Sequence, residues 1–152
     1  MGYGGRSAGV LLLSAMVAGP ALASGYIPAI EDRVPQASYT ACVAKLETAA
    51  REDQAQVSPK TFAADGSTRQ VTVEPITKGV EKTGRKKAHY QARVWYSNGA
   101  PRVDLGKMVY RASWQETNLT CEGKMLVSNA SQGFTSEGYG PLESPPAEAV
   151  KP

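Results

Sequence analysis

Residues 88–106, AHYQARVWYSNGAPRVDLG, carry the strongest pattern in the chain. Ala88, Tyr90, Ala92, Val94 and Tyr96 alternate with His89, Gln91, Arg93 and Trp95, and a period of two means a strand with one face toward a core. Asn98-Gly99 comes next, the pair best suited to a type I′ hairpin turn, because both central residues of that turn need positive φ. Folding about it sets Val94 opposite Val103, Ala92 opposite Leu105 and Arg93 opposite Asp104. Apolar residues then meet apolar ones, and the charges are complementary. Beyond Gly106 the large apolar residues Met108, Tyr110, Ala112 and Trp114 have the other parity. One extra residue restores agreement, so a β-bulge is expected at Gly106, where glycine tolerates the backbone angles.

Weaker strand signals surround this hairpin. Asp65-Gly66 marks a turn, after which Val71 and Val73 share a face until Pro75 ends the strand or marks it as a sheet edge. The segment TKGVEKTGRKK reads as a charged loop or hairpin tip. Leu119 and Cys121 share one face of a later strand, Gly123 turns the chain, and KMLVS can form one short strand more. Upstream, Tyr39, Cys42, Val43, Leu46, Ala49 and Ala50 fall at three- and four-residue steps, which predicts a helix from Ser38 to Gln54 with Ser38 as its cap. The expected fold is α+β, with one N-terminal helix packed on a meandering antiparallel sheet of about four to five strands.

The two cysteines, Cys42 and Cys121, point inward from that helix and that strand, so a helix-to-sheet disulfide is expected. An oxidising compartment is implied. The start of the chain agrees: residues 1–23 have one positive charge at Arg6, an apolar run from Val10 to Val17 and a small-x-small ending at Ala21–Ala23. This is the form of a cleavable secretory signal, too short in its apolar run to stay as a transmembrane anchor. The Ala- and Gly-rich style is bacterial, which places the mature protein in the periplasm or outside the cell. Residues 24–37, broken by Pro28 and Pro35, read as an extended lead-in, 38–128 as a single domain and 129–152 as a flexible Ser/Gly/Pro-rich tail.

Catalytic and cofactor chemistry find little footing. His89 is the only histidine and has no nucleophile signature near it. One histidine and two oxidised cysteines do not make a zinc site, and neither a calcium loop nor a nucleotide-binding glycine loop is present. No catalytic residue, metal or cofactor is therefore assigned. One asymmetry stands out. From Lys78 to Arg111 there are nine basic residues against two acidic ones, Glu81 and Asp104, and such a concentration attracts polyanions. Arg85, Lys86 and Lys87 at a hairpin tip, with Arg93, Trp95 and Arg102 on one sheet face, form the candidate binding set.

The expected function is that of a small exported binding or interaction module. Its partner would be an anionic envelope component or an acidic protein, with nucleic acid not favoured. Two alternatives stand beside it: a small periplasmic enzyme whose site is assembled only in the fold, and a purely structural or stress-related envelope protein. The balance leans against an enzyme.

Overall fold

The computed structural model describes residues 25–144; the signal-like segment 1–23 lies outside them. Within that range the chain forms β1 (Ile27–Pro35), α1 (Tyr39–Ala55), β2 (Ser58–Phe62), β3 (Thr68–Pro75), β4 (Glu81–Gly84), β5 (Lys87–Arg102), β6 (Lys107–Glu122), β7 (Met125–Phe134) and β8 (Gly138–Pro141). All strand pairs are antiparallel, in the order β1-β7-β6-β5-β3-β2, with β4 also beside β5 and β8 also beside β6.

The expected α+β fold of four to five strands is corrected by this topology: eight strands join in one sheet, and α1 is the one α-helix of the described residues. The additional strands lie where side-chain alternation is weak. β1 comes from the Pro-bearing lead-in, and all nine of its residues are exposed. It is held at the sheet edge by its pairing with β7. An edge strand joined through main-chain bonds needs no apolar face, so periodicity does not reveal it. β7 runs on to Phe134 and β8 follows at Gly138–Pro141, both inside the segment read as tail.

The central hairpin also differs from its expectation. β5 and β6 are 16 residues each and turn at Val103–Gly106, where Gly106 has φ 61°. Asn98 and Gly99 lie inside β5, opposite Arg111 and Tyr110. Glycine is needed at 99 for closeness, because a Cβ there would collide with the Thr68 side chain and lie 2.9 Å from the Tyr110 ring. The parity change at Gly106 is real, but its device is the hairpin loop and not a bulge. Met108, Tyr110, Ala112 and Trp114 consequently lie on the same side of the sheet as Arg93 and Trp95, not with Ala92 and Val94.

The core sits on the other side. Ala88, Tyr90, Ala92 and Val94 of β5 are buried, and Tyr90, Ala88 and Ala92 cluster with Cys42 and Leu46 of α1 and Cys121 of β6. Tyr39, Val43, Ala49, Ala50, Leu119 and Leu126 pack around them. Ser38 Oγ accepts from the Ala41 amide at 3.0 Å, capping the helix. At the far end of α1, the Tyr90 hydroxyl donates to buried Asp53 at 2.9 Å; burial and then that carboxylate push the Tyr90 pKa up. The expected disulfide is present, joining Cys42 to Cys121 with both residues fully buried. Closing a loop between residues 79 apart contributes about 4.5 kcal/mol on chain-entropy grounds.

Helix length limits what this core can cover. The 17 residues of α1 span about 26 Å at 1.5 Å per residue, whereas the 16 residues of β5 extend about 53 Å at 3.3 Å per residue. The helix ends over Tyr96, whose hydroxyl donates to Gln56 at 2.5 Å. Among the described residues no helix or strand packs on the helix side beyond that point or on the opposite side, where the chain after β8 returns toward β6 and β2.

Candidate binding face

That opposite side, here the open side, is built by register. Cross-strand pairing sets His89 beside Thr120, Gln91 beside Asn118, Arg93 beside Glu116, Trp95 beside Trp114 and Ser97 beside Ala112. Among the described residues no helix or strand packs against this surface. These side chains are nonetheless half-buried, because each is shielded by its neighbours.

Arg93 is the hub. Its Nη2 and Nε lie 2.6 and 3.2 Å from Glu116 Oε2, and its Nη1 lies 3.8 Å from Glu74. The guanidinium carbon stands 4.7 Å from the centre of the Trp114 ring and 5.8 Å from that of Trp95, close enough for cation–π attraction of about 0.5–1 kcal/mol each. Trp95 Nε1 donates to Glu74 at 2.9 Å, and Gln91 Nε2 donates to the other oxygen of Glu116 at 2.7 Å. Trp95 and Trp114 are 6.4 Å apart, and Tyr26 extends the aromatic row at 6.0 Å from Trp114. Gly133 on β7 allows this arrangement: a Cβ there would come within 2.8 Å of the Trp114 ring. The result is a surface whose central cation, Arg93, is shared between two carboxylates.

The six residues expected to bind do not converge. Arg93 and Trp95 belong together on the open side. Arg85, Lys86 and Lys87 occupy the β4–β5 turn at one end of the sheet, with Lys86 at φ 57°; Lys87 is about 26 Å from Trp95 at 3.3 Å per residue. The Gly123 amide donates to the Lys86 carbonyl at 2.8 Å, bringing Lys124 to the same end. Among the described residues none of these four cations has a carboxylate partner. Arg102 does not neighbour Trp95. It pairs with Lys107, lies on the helix side about 23 Å further along β5, and binds Asp104 at 2.9 Å. A turn at Asn98-Gly99 lies six residues early and hides Trp114 and Glu116, while Glu74 enters through the β3–β5 pairing, which the pattern of single strands does not give. With the hairpin centred between Asp104 and Leu105, parity alone puts Trp114 against Trp95.

His89 Nε2 lies 3.1 Å from Asn118 Oδ1. Glu81 is its cross-strand neighbour, but the Glu81 carboxylate accepts from the Lys78 amide at 3.0 Å. Among the described residues no three His, Cys, Asp or Glu side chains group as metal ligands would, and no helix is long and apolar enough to cross a membrane. In comparisons with known proteins, no protein family, no curated sequence and no solved structure matches this chain.

Proposed function

We propose that the chain is an exported, non-catalytic binding domain that meets an anionic envelope component or acidic protein. The basic end carrying Arg85, Lys86, Lys87 and Lys124 draws the partner in, and the open side with Trp95, Trp114 and Arg93 makes the contact. One observation carries this reading: an arginine held between two tryptophans by two carboxylates, on a side of the sheet that no helix or strand of the described residues covers. Aromatic and arginine side chains supply most of the energy of protein recognition, and holding them in place beforehand lowers the entropy lost on binding. Long-range attraction by unpaired lysines and arginines raises the rate of encounter rather than the strength of the final contact. A buried disulfide is compatible with the periplasm or the extracellular space.

The two tryptophans of the chain are both on this surface, so tryptophan-selective emission reports on it. Titration with dextran sulfate and with poly-glutamate at low salt should move that emission. The triple charge reversal Arg85→Glu, Lys86→Glu, Lys87→Glu should weaken the response and the retention on an anionic column. Emission unmoved by either polyanion, together with retention that ignores the triple reversal, would sink the proposal.

A further inference from the structure

A second group of arginines gathers at the opposite end of the molecule. Past the end of α1, on the helix side of the sheet, Arg69 of β3, Asn98 of β5 and Arg111 of β6 form one cross-strand row. Two strand spacings separate the arginines, about 9.6 Å between backbones, with the Asn98 amide between them. Arg102 closes the row from further along β5, on the same side. Ser67 and Thr61 bring hydroxyls from β2 and its turn, and the whole encloses a hollow of about 620 Å³. A volume of that size suits a small ligand.

The charges in this hollow do not cancel. Of the lining residues Arg69, Arg102 and Arg111 are cationic and Glu137 is the one carboxylate. Glu137 is engaged by Arg111 through Nε at 2.8 Å and through Nη2. Arg102 is fixed by Asp104, which does not line the hollow. Both carboxylates leave part of each guanidinium fork unoccupied. Arg69 has no carboxylate partner among the described residues, so its whole fork is available. The free Arg69 fork, the remaining N–H groups of Arg102 and Arg111 and the Asn98 amide match the oxygens of a tetrahedral oxyanion, and the Ser67 and Thr61 hydroxyls, which donate to Asp65 and to the Arg69 carbonyl, offer lone pairs to hydroxyl groups of a polar body.

We infer that this hollow is a binding site for a phosphate or sulfate ester of a small polar molecule, the oxyanion seated between Arg69 and Arg111 and the polar body against Asn98, Ser67 and Thr61. The site is separate from the open side and from the basic end, so it stands or falls apart from the function proposed above.

Calorimetric titration of the protein with glucose 6-phosphate, glucose 6-sulfate and glucose tests it. Both esters should bind and glucose should not, and the preference between them tells which ester the site reads. Arg69→Gln should weaken ester binding at least tenfold, while Lys45→Gln, which removes the same charge from the exposed surface of α1, should leave it unchanged. Arg69 is exposed, so unaltered circular dichroism and melting are expected of the variant. In the wild-type protein the Arg69 Nε–Hε resonance should shift on addition of ester. Equal binding of ester by wild type and Arg69→Gln, equal binding of glucose, or an unmoved Arg69 resonance overturns the inference.

Discussion

The two halves of the long β5–β6 hairpin solve the same packing problem by different means. Near the β4–β5 turn, aliphatic side chains face a helix and a disulfide ties the layers together. Toward the Val103–Gly106 loop no helix is available, and the sheet is filled from its open side. Met108 is fully buried there, and the edges of the Tyr110 ring face Gly99 and Gly140, where Cβ atoms would lie 2.9 and 2.8 Å away. The chain after β8 then returns across that side, so that Glu143 accepts from the Tyr110 hydroxyl, and its two oxygens accept from Lys60 Nζ of β2 at 2.8 and 2.7 Å. One half is stabilised by apolar burial and a covalent link, the other by omitted side chains and charged hydrogen bonds.

The contrast can be broken most forcefully at the disulfide. Cys42→Ala with Cys121→Ala should lower the unfolding free energy by about 4–5 kcal/mol, read as the denaturant midpoint without and with reductant. A loss confined to the helix-covered half in amide exchange, with the loop-end half unchanged, would show that the halves unfold separately. Gly99→Ala attacks the other half: inserting a methyl group against Thr68 and Tyr110 should destabilise by about 1–3 kcal/mol, whereas Gly79→Ala, with open space around it, should show only the backbone strain of its φ of 85°. A smaller effect is expected on the open side. Glu116→Ala strips Arg93 and Gln91 of their shared partner and should lower stability by about 1 kcal/mol, with a change in tryptophan emission as the guanidinium leaves the rings.

The smallest effect is a pH dependence confined to the loop-end half. The Lys60 ammonium, and then the Tyr110 hydroxyl, hold the Glu143 pKa below the usual carboxylate range, and the same contact pushes the Tyr110 pKa up to about 12. A folded pKa below the unfolded one contributes stability that is present at neutral pH and lost as pH falls through the carboxylate range. Acidification below about pH 4 should therefore release the Glu143 contact first. The Tyr110 ring resonances should move while those of Leu46 and Ala92 stay fixed; simultaneous movement would contradict the separation of the halves.

How much of this was legible in the sequence follows the same division. The helix, its Ser38 cap, the Cys42–Cys121 pair and the two faces of residues 88–96 were readable, because burial against a helix imposes strict periods on both partners. Asp65-Gly66 does form a turn, with the Gly66 amide donating to the Ala63 carbonyl at 2.9 Å. Asn98-Gly99 does not, since a glycine permits a turn without demanding one, and here a neighbouring ring takes the space of the missing side chain. Edge strands β1 and β8 left no period to read, because their partners are backbone groups. On the open side Arg93 and Trp95 are legible through their own strand's alternation. Trp114 and Glu116 required the correct hairpin centre, and Arg102 was drawn to the wrong side by the same shift.

The pairing of β1 with β7 has a consequence for how the molecule comes into being. Ile27 lies opposite Gln132, and Cys42 must meet Cys121, so both of the earliest elements wait for the latest ones. A ribosome delivers the chain first residues first, so β1 is made long before the strand it pairs with. Assembly dominated by such distant pairings is slow, on the order of milliseconds to seconds, and a chain interrupted before β7 would hold its helix against β5 and β6 but leave β1 without the strand it pairs with.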